Sequence, residues 1–265
     1  MYLPKMTKFL ITGHKSGLGR SLYEYFGGIG LARNKTADKF EHIRREGVDV
    51  IIHCASQPPR TVTLSSLYPF MDDNVLLTER ISRLRHKKFV FISSVDVYPD
   101  TRGPHNEDED ISLASITNFY AAAKLMSESI VMKTCPNYLI FRCAALLGTY
   151  SRQNSLIKIA EEENPVVTLA ASSVMNYVRH SQVADFIKYA VENNLKGIYN
   201  AVSSENIILS RVADLLKKKV RFGSHQYRVG DISNQKISSV FPSFKKTSED
   251  IVRQFIKEDL PRRKI

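Results

Sequence analysis

The chain has 265 residues, of which 43% are hydrophobic and 25% charged, the make-up of an ordinary globule with one sizeable α/β domain and room for a small lobe. No run approaches the roughly 18 apolar residues of a membrane span, and "KFLITG" enters an apolar strand without the sequential regions of a secretory signal, so neither is expected. The net charge is +11, but the basic residues are spread out; the densest clusters (83–88, 217–219 and 261–264) read as solvated faces, which argues against nucleic acid and suits a phosphate-bearing cofactor and substrate.

Short apolar runs alternate with amphipathic segments along the chain. Strands are expected at 8–12, 28–32, 49–54, 88–93, 138–142 and 197–201. Helices are expected at 17–26, 37–46, 66–84, 117–134, 151–163, 180–193 and 208–218. The strands are almost continuously apolar, as in a sheet covered on both faces. The fold class is therefore α/β, a doubly wound parallel sheet (Rossmann) with a small C-terminal lobe. Residues 1–148 form the sheet domain, completed by 176–204; residues 149–175 and 205–265 form the lobe. The polar segment 99–116, with two prolines and an acidic run, is expected to be a mobile rim. Cys54, Cys135 and Cys143 have no metal-ligand spacing, nor do the seven histidines, so no metal is expected. Cys54 and Cys143 lie in apolar runs and read as buried reduced thiols, which points to the cytoplasm.

"FLITGHKSGLGRSL" is a strand, a glycine-rich turn and a helix start. Gly13 permits a tight turn, Gly17 lets backbone approach a pyrophosphate, and Gly19 allows helix to pack closely on strand. Ser16 and Leu18 belong to the same turn, and the helix N-terminus offers free N–H groups to phosphate. Arg33 stands twenty residues after Gly13, at the end of the second strand. A carboxylate there would accept from the 2′-hydroxyl of NAD; an arginine can grip a 2′-phosphate, so NADP is favoured over NAD. The connection from Arg33 to Asp49 is short, so a further strand is expected to be missing on that side.

"NFYAAAKLMSESI" places Tyr120 and Lys124 four apart on one helix face. A phenol ordinarily keeps its proton to about pH 10, and an ammonium nearby is expected to lower that threshold. "FISSVDVY" puts Ser94 at the carboxyl end of a strand, where open α/β sheets hold ligands. Its hydroxyl could reach the same substrate oxygen.

With "TGHKSGLG", "DVIIHCAS", "FISSVDVY", "YAAAK", "FRCAALLG" and "NYVRHSQVADFI…GIYNA", the chain resembles the short-chain dehydrogenase/reductase superfamily over roughly residues 7–205. It is most similar to the extended branch, the NAD-dependent epimerase/dehydratase family, and within it to dTDP-4-dehydrorhamnose reductase-like proteins. The resemblance implies that Tyr120 is the acid/base, Lys124 its activator and ribose clamp, and Ser94 the carbonyl-orienting hydroxyl. It implies that Ala55 and Ser56 line the cofactor and that Asn74 stands near the site. Several positions differ from the branch: Ser16 where it has a glycine, Pro99 in "VYP", Ala145 where it has an asparagine, and Met175 and Gln182 in the run before the last helix. Val95-Asp96 stands where dehydratases have Asp-Glu, which argues against a dehydratase. The implied function is NADP(H)-dependent reduction of a keto group on a small-molecule substrate, a nucleotide-linked sugar held partly by the lobe. An NAD-dependent nucleotide-sugar 4-epimerase is the alternative, and a non-catalytic NADP-sensing or RNA-binding protein on the same fold is the alternative of another class. By the same resemblance, the helices at 66–84 and 117–134 could pair in a homodimer.

Overall fold

The computed structural model describes residues 7–32, 37–57, 62–99, 103–116 and 118–263. In the first half, β1 (Phe9–Thr12), α1 (Gly17–Phe26), β2 (Ile29–Leu31), α2 (Ala37–Glu46) and β3 (Val48–His53) follow one another with short turns. Then come α3 (Leu64–Met71), α4 (Leu77–Ser82), β4 (His86–Ser94) and α5 (Phe119–Thr134). The second half has β5 (Tyr138–Cys143), β6 (Ala145–Leu147), α6 (Ser155–Glu161), β7 (Val166–Leu169), β8 (Val174–Met175), β9 (Tyr177–Arg179), α7 (His180–Glu192) and β10 (Gly197–Ala201). Last are β11 (Ile207–Ile208), α8 (Leu209–Leu215), β12 (Arg221–His225), α9 (Gln235–Val240) and α10 (Ser248–Gln254).

The six-stranded sheet has the order β2-β1-β3-β4-β5-β10, and every pairing is parallel. From β1 the chain steps to β2 on one side and then returns through α2 to β3 on the other. The crevice of this switch opens at the carboxyl ends of β1 and β3, where α/β sheets hold ligands. Among the described residues no strand lies beyond β2, as the short Arg33–Asp49 connection suggested.

Successive residues of each strand face opposite sides, so two apolar layers form. Ile11, Ile52, Val90 and Phe141 pack with Leu22 of α1 and Phe186 of α7 on one face. Leu10, Ile51, Phe91 and Ile140 pack with Ile43 of α2, Ile81 of α4 and Val131 of α5 on the other. That is the double winding expected from the apolar strands. A separate cluster, including Leu156, Tyr177, Leu209, Ile251 and Phe255, forms the core of the smaller part of the molecule. Three two-stranded pairings accompany it: β11 with β8, β12 with β7, and β6 with β9.

Some elements depart from the sequence pattern for identifiable reasons. The helix expected over 66–84 is interrupted by a π-helical turn at Asp72–Leu76 between α3 and α4. There the Asn74 side-chain amide donates to the carbonyl of Phe70 at 2.9 Å. The helix expected from 151 starts at Ser155 because the Asn154 side-chain Oδ1 accepts from the N–H of Ile157 at 3.0 Å. Residues 148–154 are therefore a loop. The basic C-terminal stretch, which lacks clear periodicity, still forms α10, held by a reciprocal Thr247–Asp250 capping box.

The segment 99–116, expected as a mobile rim, is pinned where it is described. His105 N–H donates to Asp231 at 2.8 Å, its carbonyl accepts from Ser233 at 2.8 Å, and Glu107 accepts from the N–H of Asn200 in β10 at 2.8 Å. Beneath the sheet's carboxyl end, Arg142 of β5 makes a buried ion pair with Glu128 of α5 at 2.8 Å. Ser93 donates to the same carboxylate, and Arg142 also donates to the Tyr98 hydroxyl at 2.9 Å. Among the described residues no helix is long and apolar enough to cross a membrane, and no group of metal-ligating side chains gathers.

Candidate active site

At the turn between β1 and α1, Gly13 has φ +71°, and a Cβ there would stand 2.9 Å from the backbone nitrogen of Ala55. A Cβ on Gly19 would stand 2.4 Å from the carbonyl oxygen of Gly13, so helix and loop can approach only without side chains. Ser16 occupies the N-cap position with extended backbone but makes no capping bond. The N–H groups opening α1 therefore face the crevice without a side-chain acceptor, an arrangement suited to phosphate.

The facing loop after β3 is fixed from below. Thr12 Oγ1 accepts from the N–H groups of Cys54 and Ala55, at 3.1 Å each, and lies 2.7 Å from His53 Nδ1. His53 Nε2 lies 3.0 Å from Thr78, whose hydroxyl donates to the carbonyl of Asn74. This pattern places the imidazole proton on Nε2, and burial holds the ring's pKa down to about 3. Asn74 completes the frame by accepting from Ser56 Oγ at 2.6 Å and from the N–H of Gln57 at 3.0 Å. Its place is structural support of the loop carrying Ala55 and Ser56.

Ser94, Tyr120 and Lys124 converge on one cavity of about 330 Å³, which also reaches Gly17, Leu18 and Gly19. Ser94 Oγ accepts from the N–H of Asp96 at 3.2 Å, so it caps the turn after β4 while lying beside Tyr120. Lys124 Nζ lies 5.7 Å from the centre of the Tyr120 ring and donates to the carbonyl of Ile92 at 2.8 Å. Burial lowers its pKa to about 8, opposed by the negative ends of Cys54, Cys143 and Glu128. The phenol of Tyr120 is not lowered as the spacing suggests. Burial raises it, Asp96 and Cys143 add to the rise, and Ser94 and Arg152 partly oppose it. In this state Tyr120 holds its proton at neutral pH, as a proton donor must.

A larger outer cavity of about 900 Å³ shares Ser16, Ser56 and Arg152 with the inner one. Its far end is bounded by Lys15, Leu31, Ala32, Glu41 and Arg44, the last two paired at 3.2 Å. Arg33, the sequence candidate for a 2′-phosphate grip, lies outside the described residues. Cys143 is buried as expected, whereas Cys54 is only half-buried at the cavity wall; burial of the thiols pushes both up to about 12, so both stay protonated.

Three site residues escape the sequence reading. Asp96 lines the inner cavity with the Tyr227 hydroxyl against its carboxyl, and burial raises its pKa. Tyr227 comes from more than a hundred residues away, and no local signal marks it. Arg152 reaches the mouth of the phosphate loop, its Nη2 3.5 Å from Ser16 Oγ. The Asn154 cap is the signal available for Arg152, since it starts the helix late and leaves residues 148–154 as a loop.

Each basic cluster has at least one member paired locally. Arg83 pairs with Glu79, Lys87 with Asp49 at 2.7 Å, and Lys88 is buried against Asn137 and the carbonyl of Leu195. Lys218 donates to the carbonyl of Glu162, and Arg263 pairs with Glu161 at 2.7 Å.

A parallel dinucleotide-type sheet, a glycine-rich anion turn and a Ser-Tyr-Lys cluster at the switch crevice define a nicotinamide-dependent enzyme of the short-chain dehydrogenase/reductase kind. Residues 9–201 match the NAD dependent epimerase/dehydratase family, and the chain belongs to that family. Among solved structures it is similar to dTDP-4-dehydrorhamnose reductase from Yersinia enterocolitica, with TM-score 0.78 and 21% identity over 95% of this chain and 99% of that one. The Bacillus anthracis dTDP-4-dehydrorhamnose reductase in complex with NADP has TM-score 0.79 and 18% identity over 96% and 100%. UDP-glucuronic acid 4-epimerase from Bacillus cereus, in complex with UDP-glucuronic acid and NAD, has TM-score 0.76 and 16% identity over 95% and 99%. At these identities the likeness is one of fold. None of the curated proteins matches the chain in sequence.

Proposed function

We propose that this protein is an NADP(H)-dependent reductase of a keto group on a sugar, the sugar being linked to a nucleotide. The observation that carries the reading is the convergence of Ser94, Tyr120 and Lys124 on a cavity continuous with the phosphate turn. The turn of Gly13, Ser16, Gly17, Leu18 and Gly19 would hold the cofactor's pyrophosphate, with Ala55 and Ser56 lining the opposite wall. A bound nicotinamide supplies the hydride.

The chain's own residues handle the oxygen and its proton. Tyr120 O–H, kept protonated by burial, donates to the carbonyl oxygen as that oxygen gains negative charge. Ser94 gives a second hydrogen bond to the same oxygen and fixes its place. Lys124, anchored on the Ile92 carbonyl, keeps a positive charge within reach of the phenolate that remains. NADP is favoured over NAD by Arg33 at the end of the second strand and by Lys15 at the far end of the outer cavity. The convergence of Ser94, Tyr120 and Lys124 on one cavity argues against the RNA-binding alternative.

The test is a calorimetric titration with NADPH and NADH, followed by a turnover assay on 4-keto sugar nucleotides with the wild type and Tyr120→Phe. The reading expects tighter binding of NADPH, and a variant that binds it normally but loses turnover by orders of magnitude. Preference for NADH would favour a 4-epimerase, and unchanged turnover in Tyr120→Phe would remove Tyr120 from the chemistry.

A further inference from the structure

The loop between β6 and α6 carries Arg152 over the opening of α1, and the reason it stays there lies at the other end of the chain. Gly17 has φ +58° and no side chain, and the Arg152 side chain fills that space: its Nε stands 3.4 Å and its Cγ 3.6 Å from where a Cβ would be. Its Nη2 is 3.5 Å from Ser16 Oγ. Among the described residues no carboxylate pairs with Arg152, although the other arginines near this crevice, Arg20, Arg44, Arg80 and Arg83, each have one. The guanidinium thus stands at the junction of the inner and outer cavities, facing the first turn of α1, with its charge uncompensated.

The loop beneath it is built from three directions. Arg263 Nη1 donates to the carbonyls of Gly148, Thr149 and Ser151, at 3.4, 3.3 and 3.0 Å, while its Nε is held by Glu161 at 2.7 Å. Three carbonyls converging on one guanidinium fix the backbone path of the loop. Tyr150 lies under the guanidinium of Arg20 in α1, 4.1 Å from the ring centre. Ser151 Oγ accepts from the N–H of Gly148 at 2.7 Å and donates to the carbonyl of Leu146 at 3.2 Å. Arg152 and Gln153 are the exposed residues of the loop, and Arg152 is the charged one.

We propose that Arg152 is a binding residue for the dinucleotide's pyrophosphate, reaching it from beside the α1 N-terminus, and that Arg263 is the positioning residue that holds Arg152 there. The inference rests on the cofactor reading above. A pyrophosphate seated against the α1 N–H groups and the adjacent planar guanidinium receives charge-assisted hydrogen bonds from both. The basic C-terminal segment thereby acquires a role: it braces the far wall of the cofactor cleft.

The test measures dissociation constants by calorimetry for whichever of NADPH and NADH the wild type binds more tightly, and for adenosine 2′-monophosphate, which has no pyrophosphate. Arg152→Ala is expected to weaken the dinucleotide by about tenfold to a hundredfold, the range of a lost charge-assisted bond, and to leave the monophosphate within about twofold. Arg263→Met is expected to weaken the dinucleotide several-fold, with Arg152→Ala/Arg263→Met no worse than Arg152→Ala alone, because both act through one contact. Glu161→Gln and Arg263→Lys, which keep the loop's bulk, give intermediate losses and serve if Arg263→Met does not fold. Equal dinucleotide binding by wild type and Arg152→Ala overturns the clamp while leaving the cofactor reading intact. Additive losses in the double variant overturn the positioning role of Arg263. Absence of binding of either dinucleotide to the wild type overturns the cofactor reading and this inference together.

Discussion

Lys124 Nζ donates to the backbone carbonyl of Ile92 at 2.8 Å and lies 4.9 Å from the centre of the Phe91 ring, so its charge is held against β4 in an apolar setting. Burial lowers its pKa from 10.5 to about 8. Between these values the unfolded chain holds a proton the folded chain has released, so this group makes stability rise with pH across about 8 to 10.5. Below pH 8 both states are protonated and the buried charge costs on the order of 3 kcal/mol. Lys124→Met should therefore be more stable than the wild type at pH 7, by an amount that shrinks as pH rises towards 10.5. Urea unfolding of both proteins at pH 7, 8, 9 and 10 checks this; a difference independent of pH contradicts it. Comparing the two proteins cancels the partly buried Tyr227, whose raised pKa acts in the opposite sense at high pH and which does not interact with Lys124.

Gly19→Ala should damage the phosphate turn itself. The added methyl would stand 2.4 Å from the Gly13 carbonyl oxygen, backbone that cannot swing aside. Overpacking of this kind costs about 1–3 kcal/mol, and the dinucleotide Kd should rise because the α1 N–H groups are displaced. Gly27→Asn is the contrasting substitution. Gly27 has open space around it, but its φ of +67° and ψ of −157° form a backbone conformation essentially restricted to glycine, so Asn there should cost about 1–3 kcal/mol through backbone strain while leaving the dinucleotide Kd unchanged. An unchanged dinucleotide Kd in Gly19→Ala would mean that crowding at Gly19 is relieved elsewhere.

How far the site could be read in advance follows from which contacts are local. The glycine turn, the strand end at Ser94 and the four-residue step from Tyr120 to Lys124 are set by short-range geometry, and each side chain lies where the sequence pattern puts it. The protonation of Tyr120 was not legible, because it depends on burial and on Asp96, which faces it only in the fold. Arg152 and Tyr227 were not legible either, since their neighbours across the crevice are 136 residues away at Ser16 and more than a hundred away at Asp96. The double winding was readable from the apolar strands, but the π turn at Asp72–Leu76 was not. It depends on Asn74 bonding both its own helix and the Ser56 loop.

The buried pair of Glu128 and Arg142 should tolerate loss of one partner poorly. Arg142 Nε and Nη2 both reach the carboxylate, and neither side chain has appreciable contact with water. Glu128→Gln leaves a buried guanidinium without its counter-charge, a change that costs about 3–5 kcal/mol. Thermal unfolding should show a large fall in Tm, with Glu128→Gln/Arg142→Met recovering part of it. A fall in the double variant as large as the sum of the two single variants would show that the pair does not act as a unit.

Acid should unfold the protein through its buried imidazoles. Burial lowers His53 and His180 from 6.5 to about 3. Between pH 6.5 and 3 the unfolded chain binds protons that the folded chain refuses, so stability falls as pH falls through that window. Each histidine contributes a slope of about 1.4 kcal/mol per pH unit once pH is well below 6.5. His53 is tied at both nitrogens into the Thr12–Thr78 chain, whereas His180 Nδ1 is buried against Gly148 with no partner among the described residues. His180→Leu is therefore the cleaner variant, since it removes the charging step without breaking a bond at Nδ1. Its urea midpoint should decline less steeply than that of the wild type between pH 6 and 4, by about one proton's worth of slope. Parallel declines in the two proteins would show that His180 is already protonated in the fold, with a polar partner inside the cavity at Gly148.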